Sequence, residues 1–501
     1  MNPRYEQLLA RLRQVSDLSK AAAVLAWDEQ TYMPTGGARA RADQQATLSR
    51  LIHSLFTSPE VGELLDQLAE DVRDLPPDSD EAALVRLARR QYDQAVKLPA
   101  DLVEALSRAS SEGFNAWIEA RRSNDFAVFR PKLERLVELQ RQKADALGWR
   151  DRRYDALLDL FEPGMKTADV ERTFSILRDQ LVPLLGAIRE RLDAVDDSVL
   201  RRGYPADQQW EFTVELLEAI GFDFKRGRQD RSEHPFTIAF SVDDVRITTR
   251  INEEYLAQSI FSTIHEAGHA FYELGQPRQH ERTPLCSPAS LALHESQSRL
   301  WENVIGRSRG FWEHFLPRLS RRFPAQLADV DVDRFYRAVN RVEPSFIRTE
   351  ADEVTYNLHI FLRFELEQAM LDGDLQVADL PGAWNEKMQA YLGVTPPDML
   401  RGVLQDVHWS GDSFGYFPTY SLGTILAVQF YEKAVADHPD LPEQIRRGQF
   451  ETLHRWLGEN IHRHGARYEP AELVQRVTGT GLDAGPYIRY IRAKYGEIYG
   501  I

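Results

Sequence analysis

Apolar residues recur along most of this chain at the three- and four-residue spacing of an α-helix. Leu102, Leu106 and Ala109 follow that spacing, and so do Leu133, Leu136 and the stretch from Leu139 to Ala144. Leu75-Pro76, Leu98-Pro99 and the run Pro76-Pro-Asp-Ser-Asp80 punctuate it as helix connections. Proline has no N–H to give a helix and restrains the residue before it. The segment from Met1 to Leu18 is charged throughout and reads as an amphipathic helix. One stretch has a different period. From Phe236 to Ile251, first Ile238, Phe240 and Val242 alternate, then Val245, Ile247 and Thr249, with Asp243-Asp244 between them as a turn. A helix is expected from about Asn252. The predicted fold is mainly α, with a small antiparallel β-hairpin or sheet leading into one helix.

Composition narrows the function classes. The chain has 501 residues, 43% hydrophobic and 28% charged, as in ordinary globular proteins. A net charge of −16 with no run of Lys and Arg argues against nucleic acid as a partner. The single cysteine, Cys286, cannot form an intramolecular disulfide, which fits a reducing compartment. No apolar run approaches the ~20 residues of a membrane span, and the N-terminus lacks the apolar core of a signal peptide. The expectation is a cytoplasmic protein without a membrane partner. No repeat, low-complexity tract or long linker divides the chain.

Candidate chemistry lies in the helix after the hairpin. It reads Thr263-Ile-His-Glu-Ala-Gly-His-Ala-Phe-Tyr272. His265 and His269 are four residues apart, so a helix stacks them on one face, where two imidazoles can converge on one ion. Glu266 is placed to act as general base on a water at that ion. The neighbours Ile260, Phe261, Ile264, Ala267, Gly268 and Phe271 mark the helix as buried, and buried His and Glu need partners. The long metzincin pattern is excluded, because it needs Gly and His where this chain has Tyr272 and Gly275. The third ligand must come from elsewhere. Glu295 is the best candidate, within His294-Glu-Ser-Gln297 on a helix expected from Pro288 to Val304, with Glu281 and Glu302 as rivals.

At this point the chain resembles the carboxypeptidase Taq family of metallocarboxypeptidases, nearly end to end. The resemblance rests on Trp27-Asp-Glu-Gln-Thr-Tyr-Met-Pro-Thr-Gly-Gly-Ala-Arg39, Asp230-Arg-Ser-Glu-His-Pro-Phe236, the His265–His269 motif, His294-Glu-Ser-Gln297, Ile347-Arg-Thr-Glu-Ala-Asp352 and Gly402-Val-Leu-Gln-Asp-Val-His-Trp409. It implies an enzyme that removes single residues from peptide C-termini, with broad specificity and sparing Pro. It implies a homodimer of saddle-shaped, grooved, mostly helical subunits, an architecture shared with angiotensin-converting enzyme and neurolysin. His265, His269 and Glu295 are then the metal ligands and Glu266 the catalytic residue. The family accepts zinc or cobalt, and metal preference and availability favour one zinc per subunit. The chain is expected to be one domain over 1–501, with 1–200 a helical wall or lid and 201–501 the catalytic part.

Other residues are read with that resemblance in mind. A helix is expected from Ile347 to Glu367, with Arg348, Asp352, Thr355 and His359 as one stripe. Arg348 there can bind a peptide's terminal carboxylate bidentately, the alternative being a plain Arg348–Asp352 ion pair. Asp352 is also the candidate to orient a metal-bound imidazole, because Arg299 stands where several related peptidases carry an Asp four residues after the third ligand. His408 and Tyr420, with Tyr416 close behind, are candidate donors to the oxyanion of peptide hydrolysis, the alternative being aromatic core residues with satisfied polar tips. His234, before Pro235, is a candidate substrate contact, and the hairpin's edge strand a candidate for pairing with an extended peptide. The Trp27–Gly37 segment is assigned no chemistry. An endo-oligopeptidase or dipeptide-releasing enzyme, and an inactive peptide-binding protein, are the competing readings.

Overall fold

The computed structural model describes residues 2–501. It is mainly helical, with one small sheet. Its residues cluster into two compact units. The first comprises everything up to Val96, then Asp197–Val339 and Ala427–Leu482. The second comprises Lys97–Asp196, Asn340–Leu426 and Asp483–Ile501. Both units draw segments from 1–200 and from 201–501.

In the first unit, the helix Pro3–Thr31 begins where Asn2 accepts the Arg4 N–H at 3.0 Å and proline sits in the first turn. Its Tyr5, Leu8, Leu9 and Leu12 pack with Val61, Leu65, Leu68 and Ala88 in a common core. Further along that helix, Trp27 is buried beneath two guanidinium groups from the sheet, Arg246 at 4.3 Å and Arg228 at 5.3 Å from its ring.

The sheet has three strands, β1 (Gly227–Arg231), β2 (Thr237–Ser241) and β3 (Asp244–Thr249), in the order β1-β3-β2. β2 and β3 form the expected hairpin, with Thr237 opposite Ile247. Asp244 belongs to β3, however, and the register shifts between Ala239 and Ser241. The reversal therefore falls on buried Val242 and on Asp243, one residue earlier than the Asp-Asp pair suggested. β1, parallel to β3, escaped the sequence reading. It reads Gly-Arg-Gln-Asp-Arg, with no apolar alternation to signal a strand. Its polar side chains are accommodated by pairing: Asp230 is buried, with both oxygens on Arg228.

The metal-motif helix runs from Leu256 to Leu274, starting later than expected because Asn252 turns the chain by accepting the Glu254 N–H. The next helix spans Leu291–Arg299 and starts at Ser290, whose hydroxyl accepts the Leu293 N–H, rather than at Pro288. It continues into a π-helical turn over Leu300–Ile305. The two helices cross at Gly268. A Cβ there would lie 2.5 Å from the Gln297 carbonyl oxygen and 2.6 Å from the Ser298 Cα.

In the second unit, the helices Ala100–Ser123 and Phe126–Leu147 pair through the predicted Leu102, Leu106 and Ala109 against Leu136 and Leu139. Asn124 reverses the chain between them at φ 52°. The helix expected from Ile347 begins instead at Tyr356 and runs to Asp372, and Arg348 lies on a separate short turn, Arg348–Glu350. Asp352 explains the break. It accepts the Val354 N–H at 2.9 Å, the Thr355 N–H at 3.0 Å and the Glu343 N–H at 3.0 Å, bonds that a continuous helix would not offer. Arg348, Asp352, Thr355 and His359 therefore do not form one helical stripe. Among the described residues no helix is long and apolar enough to cross a membrane.

Candidate active site

His265, His269 and Glu295 come together as the sequence predicts, with one donor atom from each inside a span of 4.8 Å. Glu295 Oε2 lies 3.3 Å from His269 Nε2 and 3.8 Å from His265 Nε2. Donors ~2.0–2.1 Å from one tetrahedral ion stand roughly 3.4 Å apart. The donor set therefore fits one divalent cation.

The surrounding groups fix how each ligand is presented. Arg299 Nε donates to Glu295 Oε1 at 2.6 Å, and Ser298 Oγ donates to Oε2 at 3.0 Å. One carboxylate oxygen is thus committed to Arg299, and Oε2 is the one facing the histidines. His265 Nδ1 pairs with Glu302 Oε2 at 2.9 Å, which leaves Nε2 for the ion. Glu302 is held in turn by Arg299 and Arg307, each at 3.3 Å. The group orienting an imidazole is therefore Glu302, on the π-helical turn. Asp352, expected in that role, is committed to its own backbone turn. Nor is Glu302 a ligand, since it meets the ring nitrogen that points away from the cluster. Glu281, the other rival, accepts the Val242 N–H at 3.0 Å instead. His269 is braced differently, its ring stacked on His294 at 4.3 Å.

Burial and charge act against each other here. Burial raises the Glu295 pKa, but Arg299 and the two histidines outweigh it and hold the carboxyl well below its ordinary value. Glu302, buried beside His265 and Arg299, is likewise held down, to about 2. Both stay ionised. Burial, together with the neighbouring imidazole of His294, lowers His269 to about 3 and keeps it neutral, as a metal ligand must be. For Glu266, burial dominates and raises the pKa, favouring proton uptake.

Glu266 is 6% exposed, and its Oε2 accepts from Thr237 Oγ1 at 2.6 Å. The strand before the helix thus holds the candidate base, a role for Thr237 that no sequence pattern announced. His234 is exposed, in the loop leading into β2, and its carbonyl accepts from Ser232. β2 is an edge strand, but the Ala239 carbonyl already accepts from Lys20 of the N-terminal helix at 2.7 Å. One edge position is therefore closed to a pairing peptide.

The second unit gathers the remaining candidates around a carboxylate that the sequence reading passed over, Asp406. Its Oδ1 takes Arg348 Nε and Nη2, both at 2.9 Å, and its Oδ2 takes Arg363 Nε at 2.5 Å. Arg348 Nη1 donates to the Tyr356 hydroxyl at 3.1 Å. No Arg348–Asp352 pair forms. Two of the five guanidinium N–H groups are hydrogen-bonded in this way, one on Nε and one on Nη1, and Nη2 is in ion-pair contact with Asp406. His408 Nε2 lies 3.2 Å from the Tyr420 hydroxyl, and Tyr416 packs its ring 5.2 Å from that of Tyr420. Burial and the Arg348 charge lower His408 to about 3, so it is a neutral imidazole. Against the upward pull of burial, Arg348 and Arg363 hold Asp406 far below its ordinary value. A charged Arg363 inside the apolar run Ile360 to Phe364 was the available signal for this hub, because a buried cation demands a partner.

The family model described as carboxypeptidase Taq (M32) metallopeptidase matches residues 7–495. Thermostable carboxypeptidase 1 of Thermus thermophilus is 45% identical over 99% of both chains, and carboxypeptidase 1 of Bacillus subtilis 39% over 97% of both. The solved M32 carboxypeptidase of Deinococcus radiodurans R1 superposes with a TM-score of 0.96 at 42% identity, covering 100% of both chains. The Pyrococcus furiosus carboxypeptidase structure gives 0.96 at 39% identity over 99% of both. With an end-to-end sequence match, the same helical fold and a two-histidine, one-carboxylate cluster on its motif helix, this chain belongs to the carboxypeptidase Taq (M32) family of metallopeptidases.

Proposed function

We propose that this metallocarboxypeptidase hydrolyses the last bond of peptides with free C-termini, with broad preference and Pro spared, using one zinc per subunit. We further propose that it works as a cytoplasmic homodimer. The observation that carries the reading is the convergence of His265, His269 and Glu295 beside a buried, hydrogen-bonded Glu266. A divalent metal on those ligands supplies Lewis acidity and a water that ionises near neutral pH.

The chain's own residues do the rest. Glu266 takes a proton from the attacking water and delivers it to the leaving amine nitrogen, and its raised pKa suits both tasks. Thr237 keeps Glu266 Oε2 in one orientation. Arg299 leaves Glu295 a single oxygen to offer, and Glu302 fixes the ring of His265. Tyr420, with its hydroxyl on neutral His408, is proposed as donor to the oxyanion, with Tyr416 packed behind it. Arg348, through the N–H groups left on Nη1 and Nη2, is proposed to read the substrate carboxylate, and His234 to contact the peptide.

Mass spectrometry of a peptide digest, alongside metal analysis, tests the reading. Single residues should leave in turn from free C-termini, and C-terminally amidated peptides should resist. Glu266→Gln should retain the metal and lose at least ~10²-fold in rate, since an amide of the same shape takes no proton. Internal cleavage or release of dipeptides would favour the endo-oligopeptidase or dipeptide-releasing reading. Near-normal turnover of Glu266→Gln would remove it from the base role.

A further inference from the structure

The chain leaving the metal-motif helix borders a cavity of about 680 Å³ within the first unit. That size lies in the ~300–1,000 Å³ range of small-molecule sites. Its walls carry Arg226, Arg278, Arg463, His464 and Arg467, together with Gln276, and no lining residue is acidic. The charge balance can be followed residue by residue. Arg226 and Arg278 share one carboxylate, Asp243, at 2.7 and 2.5 Å, and Arg467 pairs with Asp80. Arg463 is exposed and has no carboxylate partner among the described residues. Among the lining residues and their ion-pair partners, four guanidinium groups meet two carboxylates, with the charge of Glu281 also acting on Arg278, on a chain whose net charge is −16.

A second observation points the same way. His464 lines the same cavity, and its pKa is lowered by burial and by Arg463 and Arg467, as in a locally positive environment.

We propose that this cavity is a binding site for a small oxyanion of the phosphate type, with Arg463 and Arg467 as its charged partners. Guanidinium groups match the oxygens of such an anion in pairs. The site is mechanically joined to the metal cluster. Gly275, also on its wall, packs so closely on His462 that a Cβ would meet the ring nitrogen at 2.7 Å. His462 Nε2 pairs with Gln297 Oε1 at 2.8 Å, on the helix that carries Glu295.

Isothermal titration of the metal-loaded protein with inorganic phosphate tests the proposal, at constant ionic strength set with sodium chloride and with succinate as a dicarboxylate of equal charge. Phosphate should bind saturably, and succinate more weakly. Arg463→Ala alters an exposed side chain, so the fold should survive, and it should weaken phosphate binding at least ~10-fold. Absence of saturable binding, equal affinity in Arg463→Ala, or heats reproduced by chloride would each overturn the proposal. Tighter binding of succinate would overturn the assignment to phosphate chemistry. Phosphate held at the metal cluster would survive Arg463→Ala unchanged, so that outcome also counts against the site.

Discussion

Gly268→Ala perturbs the place where the two ligand-bearing helices touch. The added Cβ would sit 2.5 Å from the Gln297 carbonyl oxygen, against an ordinary contact of 3.4 Å or more, so the helices must part by roughly 0.9 Å. Both obstructing atoms are backbone, and no side chain can swing aside. His265 and His269 ride on one helix and Glu295 on the other. Metal sites tolerate donor displacements of only about ±0.2 Å. Two stability effects compete. Overpacking costs ~1–3 kcal/mol, and replacing a mid-helix glycine by alanine returns up to ~1 kcal/mol. The metal-free protein should therefore lose only ~0–2 kcal/mol. Metal affinity should fall at least tenfold, equivalent to ~1.4 kcal/mol, because Glu295 Oε2 is carried out of the tetrahedron. Chelator competition gives the affinity, and urea unfolding of the metal-free protein gives the stability. Gly458→Ala is the control. It lies in a helix with nothing within 4 Å of the new methyl, and should leave affinity unchanged. If Gly268→Ala bound metal within about threefold of the parent protein, the close crossing would not be what sets the ligand geometry.

Three further outcomes follow from the geometry. Glu302→Gln should weaken metal binding ~10- to 100-fold, by losing the carboxylate on His265 Nδ1; unchanged affinity by chelator competition would make Glu302 incidental. Arg348→Lys keeps the charge but changes the donor geometry, so it should cost about 10- to 150-fold in kcat/KM on free-ended peptides and much less on amidated ones, whereas an equal loss on both would mark Arg348 as structural. Because Asp406 is depressed in the folded state, its contribution to stability should be fully present above the ordinary aspartate value of ~3.9 and be lost as pH falls below it. Carbon-13 NMR of labelled aspartates should then show the Asp406 carboxylate, assigned by its absence in Asp406→Asn, still ionised at about pH 3. Titration of every aspartate near its ordinary value would contradict the buried Arg348–Asp406–Arg363 pairing.

What the sequence determined by itself was whatever depends on local spacing. Two histidines four apart must share a helix face, and an apolar period of three to four residues must give helices such as Ala100–Ser123 and Phe126–Leu147. The alternation after Phe236 specified the hairpin, and Glu295 stood as the best candidate for the third ligand with Glu281 and Glu302 still open. Tertiary structure decided whatever depends on which distant groups meet. β1 is a strand only because β3 supplies its hydrogen bonds, so its polar sequence could not reveal it. Asp352 lies only four residues after Arg348, but its side chain collects backbone N–H groups as far away as Glu343, and that ends the predicted helix early. Glu302 became the partner of His265, rather than a ligand, through a π-helical turn that leaves no residue-type signature. Thr237 on Glu266 and Asp406 on Arg348 and Arg363 span 29, 58 and 43 residues. A hydrogen bond is specified by distance and angle in space, and those separations become short only after the core has closed.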